Sequence, residues 1–102
     1  MTTTAFITHR DCQLHEMGSY HPECPDRLTA INDHLIAQGL DSYFVYHDAP
    51  LATLQQLHRV HSAGHLERLK RASPELGIVH LDPDTAMNRH TWQAALRSAG
   101  AG

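Results

Sequence analysis

The pattern of apolar and polar positions predicts strands alternating with helices. Residues 4–8 (TAFIT) are mostly apolar or β-branched and run into the polar His9-Arg10-Asp11, which predicts a short strand. Residues 9–24 carry neither a helical nor a strand period, and Gly18, Ser19, Pro22 and Pro25 mark them as a loop. Loops of that length in compact domains are often functional. Leu28, Ile31 and Leu35 then recur at three- and four-residue spacing. That predicts a helix over 26–38, with Pro25 suited to its first turn and Gly39 to its stop. Residues 43–47 (YFVYH) read as a second strand, broken by Asp48-Ala49-Pro50.

Further on, Thr53 and Gln56 have capping-box spacing and predict a helix start, with Leu54, Leu57 and Val60 as its apolar face. Ser62 suits the cap of another helix, running to about Ala72 with Leu66 and Leu69 inward and ended by Ser73-Pro74. Ile78-Val79-His80-Leu81 predicts a third extended segment, and Asp82-Pro83-Asp84-Thr85 a turn or loop. A last helix is expected from near Asn88, carrying Trp92, Ala95, Leu96 and Ala99. This order implies an α/β fold in one domain over 1–102, with a small parallel sheet and about four helices. Parallel sheets want both faces covered. So small a sheet, and a chain that stops uncapped after an apolar helical stripe, give the expectation of a piece of something larger.

Composition narrows the function classes. A net charge of −3 argues against a nucleic-acid binder, which needs a basic face to displace counterions. Arg68, Lys70 and Arg71 cluster on one predicted helix and read as a solvated face. No apolar run approaches the roughly 18 residues of a membrane span. The N-terminus lacks the basic start and apolar stretch of a signal peptide. The expected location is therefore cytoplasmic. The two cysteines are too few for a disulfide framework and should be reduced there. Ten histidines raise the prospect of metal or proton chemistry, provided that they converge. No Ser-His-Asp arrangement, phosphate loop or nucleotide fingerprint is visible.

Four segments, in order, resemble the histone deacetylase superfamily, in particular its class II and bacterial amidohydrolase members. Tyr20-His21-Pro22-Glu23-Cys24-Pro25-Asp26-Arg27 is similar to the family's His-Pro-Glu-x-x-x-Arg signature. Ala52-Thr53 with Leu57, Val60 and His61 is similar to its Ala-Thr-x-x-x-Leu-x-x-Val-His helix. Asp82-Pro83-Asp84-Thr85 resembles its Asp-x-Asp-Thr loop, and Ala94–Gly100 the Ala-rich helix that follows. The resemblance implies the N-terminal part of an arginase/deacetylase-type three-layer α/β/α fold. For the parent it implies zinc-dependent hydrolysis of an acetyl-amide, on acetylated lysine or an acetylated polyamine. The family's metal ligands, two aspartates and a histidine, and its His-His pair lie beyond the Ala-rich helix. No adjacent His-His pair occurs in this chain. The resemblance therefore implies no catalytic residue and no metal in these 102 residues, which would be inactive alone and would have the rest of the domain as partner.

The same resemblance assigns supporting roles. Arg27 matches the arginine of an internal channel, where a permanently charged guanidinium attracts departing acetate; the competing reading pairs it with Asp26 or Glu23. Tyr20, His21, Pro22 and Glu23 form the supporting loop. One of Asp82 and Asp84 matches the rim aspartate that holds the substrate's backbone amides, with Asp82 expected as that clamp and Asp84 as a cap for the last helix. Some class II members carry a structural zinc in the first loop. Cys12, His21 and Cys24, with His9, His15 and His80, are the residues here of the right type. Their spacing matches no tight finger and the family's third cysteine is missing. The preferred reading is that His21 hydrogen-bonds within the loop, Cys24 packs and the others are solvated. His58 and His61 lie three apart without an acidic partner, which favours packing or hydrogen bonding over a metal. The runner-up function is a non-catalytic module that self-associates through apolar surface.

Overall fold

The computed structural model describes residues 3–102. Strand β1 (Thr4–Thr8) leads through a 3-10 turn (Arg10–Gln13) and a long loop into helix α1 (Asp26–Ala37). Gly39, with a φ of +70°, turns the chain out of α1 in the left-handed conformation that glycine adopts without strain. A second 3-10 turn (Asp41–Tyr43) delivers strand β2 (Phe44–Asp48). β2 pairs with β1 in parallel, with Thr4 opposite Phe44 and Thr8 opposite Asp48. Because side chains alternate along a strand, Phe6, Phe44 and Tyr46 share one face. Their rings meet there at 5.3–6.3 Å between centroids. This β1–α1–β2 unit is the parallel core that the alternating pattern predicts.

Short helices follow. Helix α2 (Leu54–Leu57) is a single turn held by a complete capping box: Thr53 Oγ1 accepts from Gln56 N at 3.1 Å and Gln56 Oε1 from Thr53 N at 2.9 Å. Helix α3 (Ala63–Ala72) begins where Ser62 Oγ accepts from His65 N, and it buries Leu66. Helix α4 (Thr91–Ala101) rests on the 10–13 turn and on β1.

Three expectations need correction. The segment 78–81 does not extend the parallel sheet. Strand β3 (Val79–Asp82) folds back on strand β4 (Thr85–Met87) as an antiparallel hairpin, with a register shift between His80 and Asp82. Local pairing across the Pro83-Asp84 turn, which an apolar run cannot signal, wins there. The helix predicted from Thr53 ends at Leu57, so Val60 is 79% exposed instead of lying on an apolar face, and His58 and His61 do not share a helix. The last helix starts at Thr91, not near Asn88, because the Asn88 side chain organises a turn ahead of it.

The core is small. Ala49, Ala52, Leu66, Ala86, Met87 and Ala94 are buried, whereas α1 buries no residue and Ile31 is 43% exposed. The stripe Leu28, Ile31 and Leu35, together with Trp92, is only partly covered. Gly100 sits where α4 meets the β2–α2 connection. A side chain there would overlap the Pro50 carbonyl, and Ala52 N donates to Leu96 O at 3.0 Å beside it.

Candidate functional site

The first loop is built from both ends of the chain. Asp11 Oδ2 accepts from Arg97 Nε at 3.0 Å, and Arg97 Nη1 donates to Ala49 O at 3.0 Å. One guanidinium thus ties the 10–13 turn, the β2–α2 connection and α4 together. His9 Nδ1 accepts from Asp11 N at 3.1 Å, so its 3.3 Å approach to Asp11 Oδ2 is not a hydrogen bond. His15 Nδ1 lies 2.6 Å from Thr91 Oγ1, and Asn88 Nδ2 donates to Leu14 O at 2.8 Å. Asn88 Oδ1 accepts from His90 N and from Thr91 Oγ1. This buried amide thereby joins the start of α4 to the first loop. Sequence reasoning missed Asp11, Asn88, Thr91 and Arg97, because nothing local signals partners more than 70 residues away.

Cys12 faces α4, with Sγ 3.8 Å from Ala94 O. Burial raises its thiol pKa, Asp11 adds to the rise, and Arg97 opposes it. Cys12, His9 and His15 are therefore engaged in structure, not solvated as expected. Cys24 is half-buried. Cys12, His21 and Cys24 do not form a ligand set; among the described residues no three His, Cys, Asp or Glu side chains converge.

The signature loop and the β3–β4 hairpin do meet. Glu23 N donates to His21 Nδ1 at 3.0 Å, the contact within the loop that was expected of His21. The other ring nitrogen, Nε2, lies 2.9 Å from Asp84 Oδ1, 63 residues away. Asp84 N donates to Asp82 Oδ1 at 2.8 Å, which spends one Asp82 oxygen on the hairpin turn. Asp84 does not cap α4: it lies on the turn ahead of β4, its partner is His21, and its side chain is 92% exposed. Tyr20 is fully exposed and Pro22 exposed beside it.

Arg27 Nε lies 3.6 Å from Glu23 Oε2, an i,i+4 pair of half-exposed groups. The two line a cavity of about 350 Å³ with Cys12, His15, Thr91 and Ser98. A second, apolar cavity of about 300 Å³ lies among His15, His61, Leu66, Met87, Trp92 and Leu96. His61 also stacks near His65, with 5.2 Å between ring centroids, and His80 is exposed on β3.

The family model described as histone deacetylase domain matches residues 21–102, more than half of the chain. The chain belongs to the histone deacetylase family. An uncharacterized protein of Synechocystis, slr0245, is 34% identical over 94 residues, covering 89% of this chain and 31% of that protein. The crystal structure of the HDA15 HD domain superposes with a TM-score of 0.85 at 28% identity, over 97% of this chain and 29% of that one. The chain thus spans less than a third of the length of each of these two proteins. The four helices and the small parallel sheet are a portion of a deacetylase α/β domain.

Proposed function

We propose that this chain is the N-terminal segment of a zinc-dependent deacetylase whose complete domain hydrolyses an acetyl-amide on acetylated lysine or an acetylated polyamine. Family membership supplies the reaction class. The observation that carries the reading to particular residues is Arg27, the arginine of the signature, set on the wall of a cavity of about 350 Å³. A guanidinium there attracts a carboxylate product, and its loose pairing with Glu23 at 3.6 Å leaves donors free for one.

The residues of this chain do not fit a catalytic zinc, since no three candidate ligands converge among those described. The metal and the general base belong to the rest of the domain, which is the chain's obligatory partner. The present residues support the site: Arg27 at the channel, and Asp82 and Asp84 at the substrate rim. The free thiols of Cys12 and Cys24 suit a reducing, cytoplasmic setting, and no described helix is long and apolar enough to cross a membrane.

The test is turnover of an acetyl-lysine reporter with zinc present. Residues 1–102 alone should match a no-enzyme blank, and the complete domain should exceed it. Turnover by the 102 residues alone overturns the division of labour, and an inactive complete domain overturns the reaction. A second reading, a self-associating module, draws on the exposed side chains of Ile36, Val60 and Leu76.

A further inference from the structure

We infer that His61 and His65 form a two-histidine binding site, at the start of α3, for a divalent transition-metal ion of the zinc, nickel or copper type. The inference goes beyond the deacetylase reading and does not depend on it. The two ring centroids lie 5.2 Å apart, with the ring planes 33° from parallel. One zinc ion held by both, with bonds to nitrogen of about 2.0–2.1 Å near the tetrahedral angle, puts the ring centres about 5 Å apart. The observed spacing matches that of two ligands of one ion.

The backbone fixes both residues before any ion arrives. His61 N donates to Leu57 O at 3.0 Å, which holds the residue on the turn that ends α2. Ser62 is extended, caps α3 and accepts from His65 N at 3.2 Å, and the adjacent Leu66 is buried. Helical register does not bring the rings together, since His61 precedes the cap. The cap geometry does. The rings of His9, His15, His21 and His90 are each spent on hydrogen bonds. Those of His61 and His65 bond to no described residue, and His61 is exposed and His65 half-buried. Their nitrogen lone pairs are therefore open to a ligand. Neutral imidazole suits zinc, copper and nickel, whereas magnesium and calcium take oxygen donors. Two protein ligands leave the other positions of the ion to water, so the ion is held weakly and exchanges.

The test is a titration of the tag-free, chelator-treated chain with zinc chloride, followed by ¹H–¹⁵N NMR of the histidine side chains and by thermal unfolding. The His61 and His65 rings should shift together and saturate at one ion per chain. Zinc should also raise the unfolding midpoint, because only the folded chain holds the pair together. Magnesium chloride at the same concentration should do neither. His61→Ala and His65→Ala should each weaken binding at least about tenfold, since changes outside the ligand set already cost roughly 10–100-fold at metal sites. Without zinc both variants should unfold near the wild-type midpoint, as surface substitutions do, which separates lost binding from lost folding. His58→Ala, which removes a neighbouring exposed histidine, should leave the affinity unchanged. Rings that do not move at millimolar zinc, or binding that survives either substitution of the pair, overturn the site. An equal loss in His58→Ala means diffuse binding to surface histidines and overturns it as well.

Discussion

Arg97 spends one guanidinium on two segments far apart in sequence. It bonds to Asp11 and to the Ala49 carbonyl at 3.0 Å each, and both charged side chains are about one-fifth exposed. Water covers little of the pair, so removing the arginine leaves Asp11 and a carbonyl short of partners. Arg97→Ala should lower stability by about 2 kcal/mol, read from chemical denaturation. Cys12 offers a second check in the same place. Its thiol pKa is raised chiefly by burial, so the folded state keeps a proton that the unfolded chain gives up earlier. Stability should therefore fall as pH climbs past the ordinary thiol range toward the folded value. Alkylation of Cys12 in the folded chain, followed by mass spectrometry at pH 8, should lag that of the unfolded chain. None of this residue-scale wiring was legible in the sequence. Asp11 and Arg97 are ordinary polar residues until folding brings them together.

At the scale of elements, local rules worked where partners are close in sequence. The capping box at Thr53 and Gln56 and the cap at Ser62 lie where their spacing predicts, since each concerns residues three apart. Thr53→Ala should cost about 1 kcal/mol. The rules failed where a local apolar run could be satisfied in two ways. Residues 78–81 could have joined the parallel sheet but pair with 85–87 instead. Likewise, the start of α4 was displaced by the Asn88 turn, whose partner is Leu14. Two glycines in helices test the packing directly. Alanine is the better helix former by about 1 kcal/mol. At Gly64 an added Cβ meets nothing, so Gly64→Ala should stabilise by up to that amount. At Gly100 it meets the Pro50 backbone, and Gly100→Ala should destabilise by about 1–3 kcal/mol instead. Thermal unfolding of the two variants should shift in opposite directions.

For the whole molecule, size and surface agree. The radius of gyration is 15.5 Å, where a compact chain of this length has about 13 Å. The exposed area is 7514 Å², where about 5800 Å² is usual for a compact monomer of this mass. Large apolar side chains contribute to it: Ile7, Ile31, Ile36, Val45, Val60 and Leu76 are all more than two-fifths exposed. A chain spanning under a third of the length of the proteins it matches leaves such faces for other elements to cover. Taken alone, the 102 residues should associate as concentration rises, and light scattering should show mass above 11.4 kDa. A clean monomer at high concentration would contradict this. The α/β class, the parallel pairing and the family motifs were legible, because periodicity and short motifs record them. The extent of uncovered surface was not, since an apolar stripe looks the same in sequence whether or not its partner is present.

The bonds from α4 and its leading turn back to the first loop also set a timetable. Asp11, Leu14 and His15 find their partners at Arg97, Asn88 and Thr91, more than 70 positions later. A ribosome adds about 5–20 residues per second, so the opening loop waits roughly 4 to 16 seconds for its anchors to be made. During that interval β1 and its neighbours are nascent apolar chain. This is a window in which chaperone capture competes with folding, and a synonymous-codon slowdown late in the message would lengthen it.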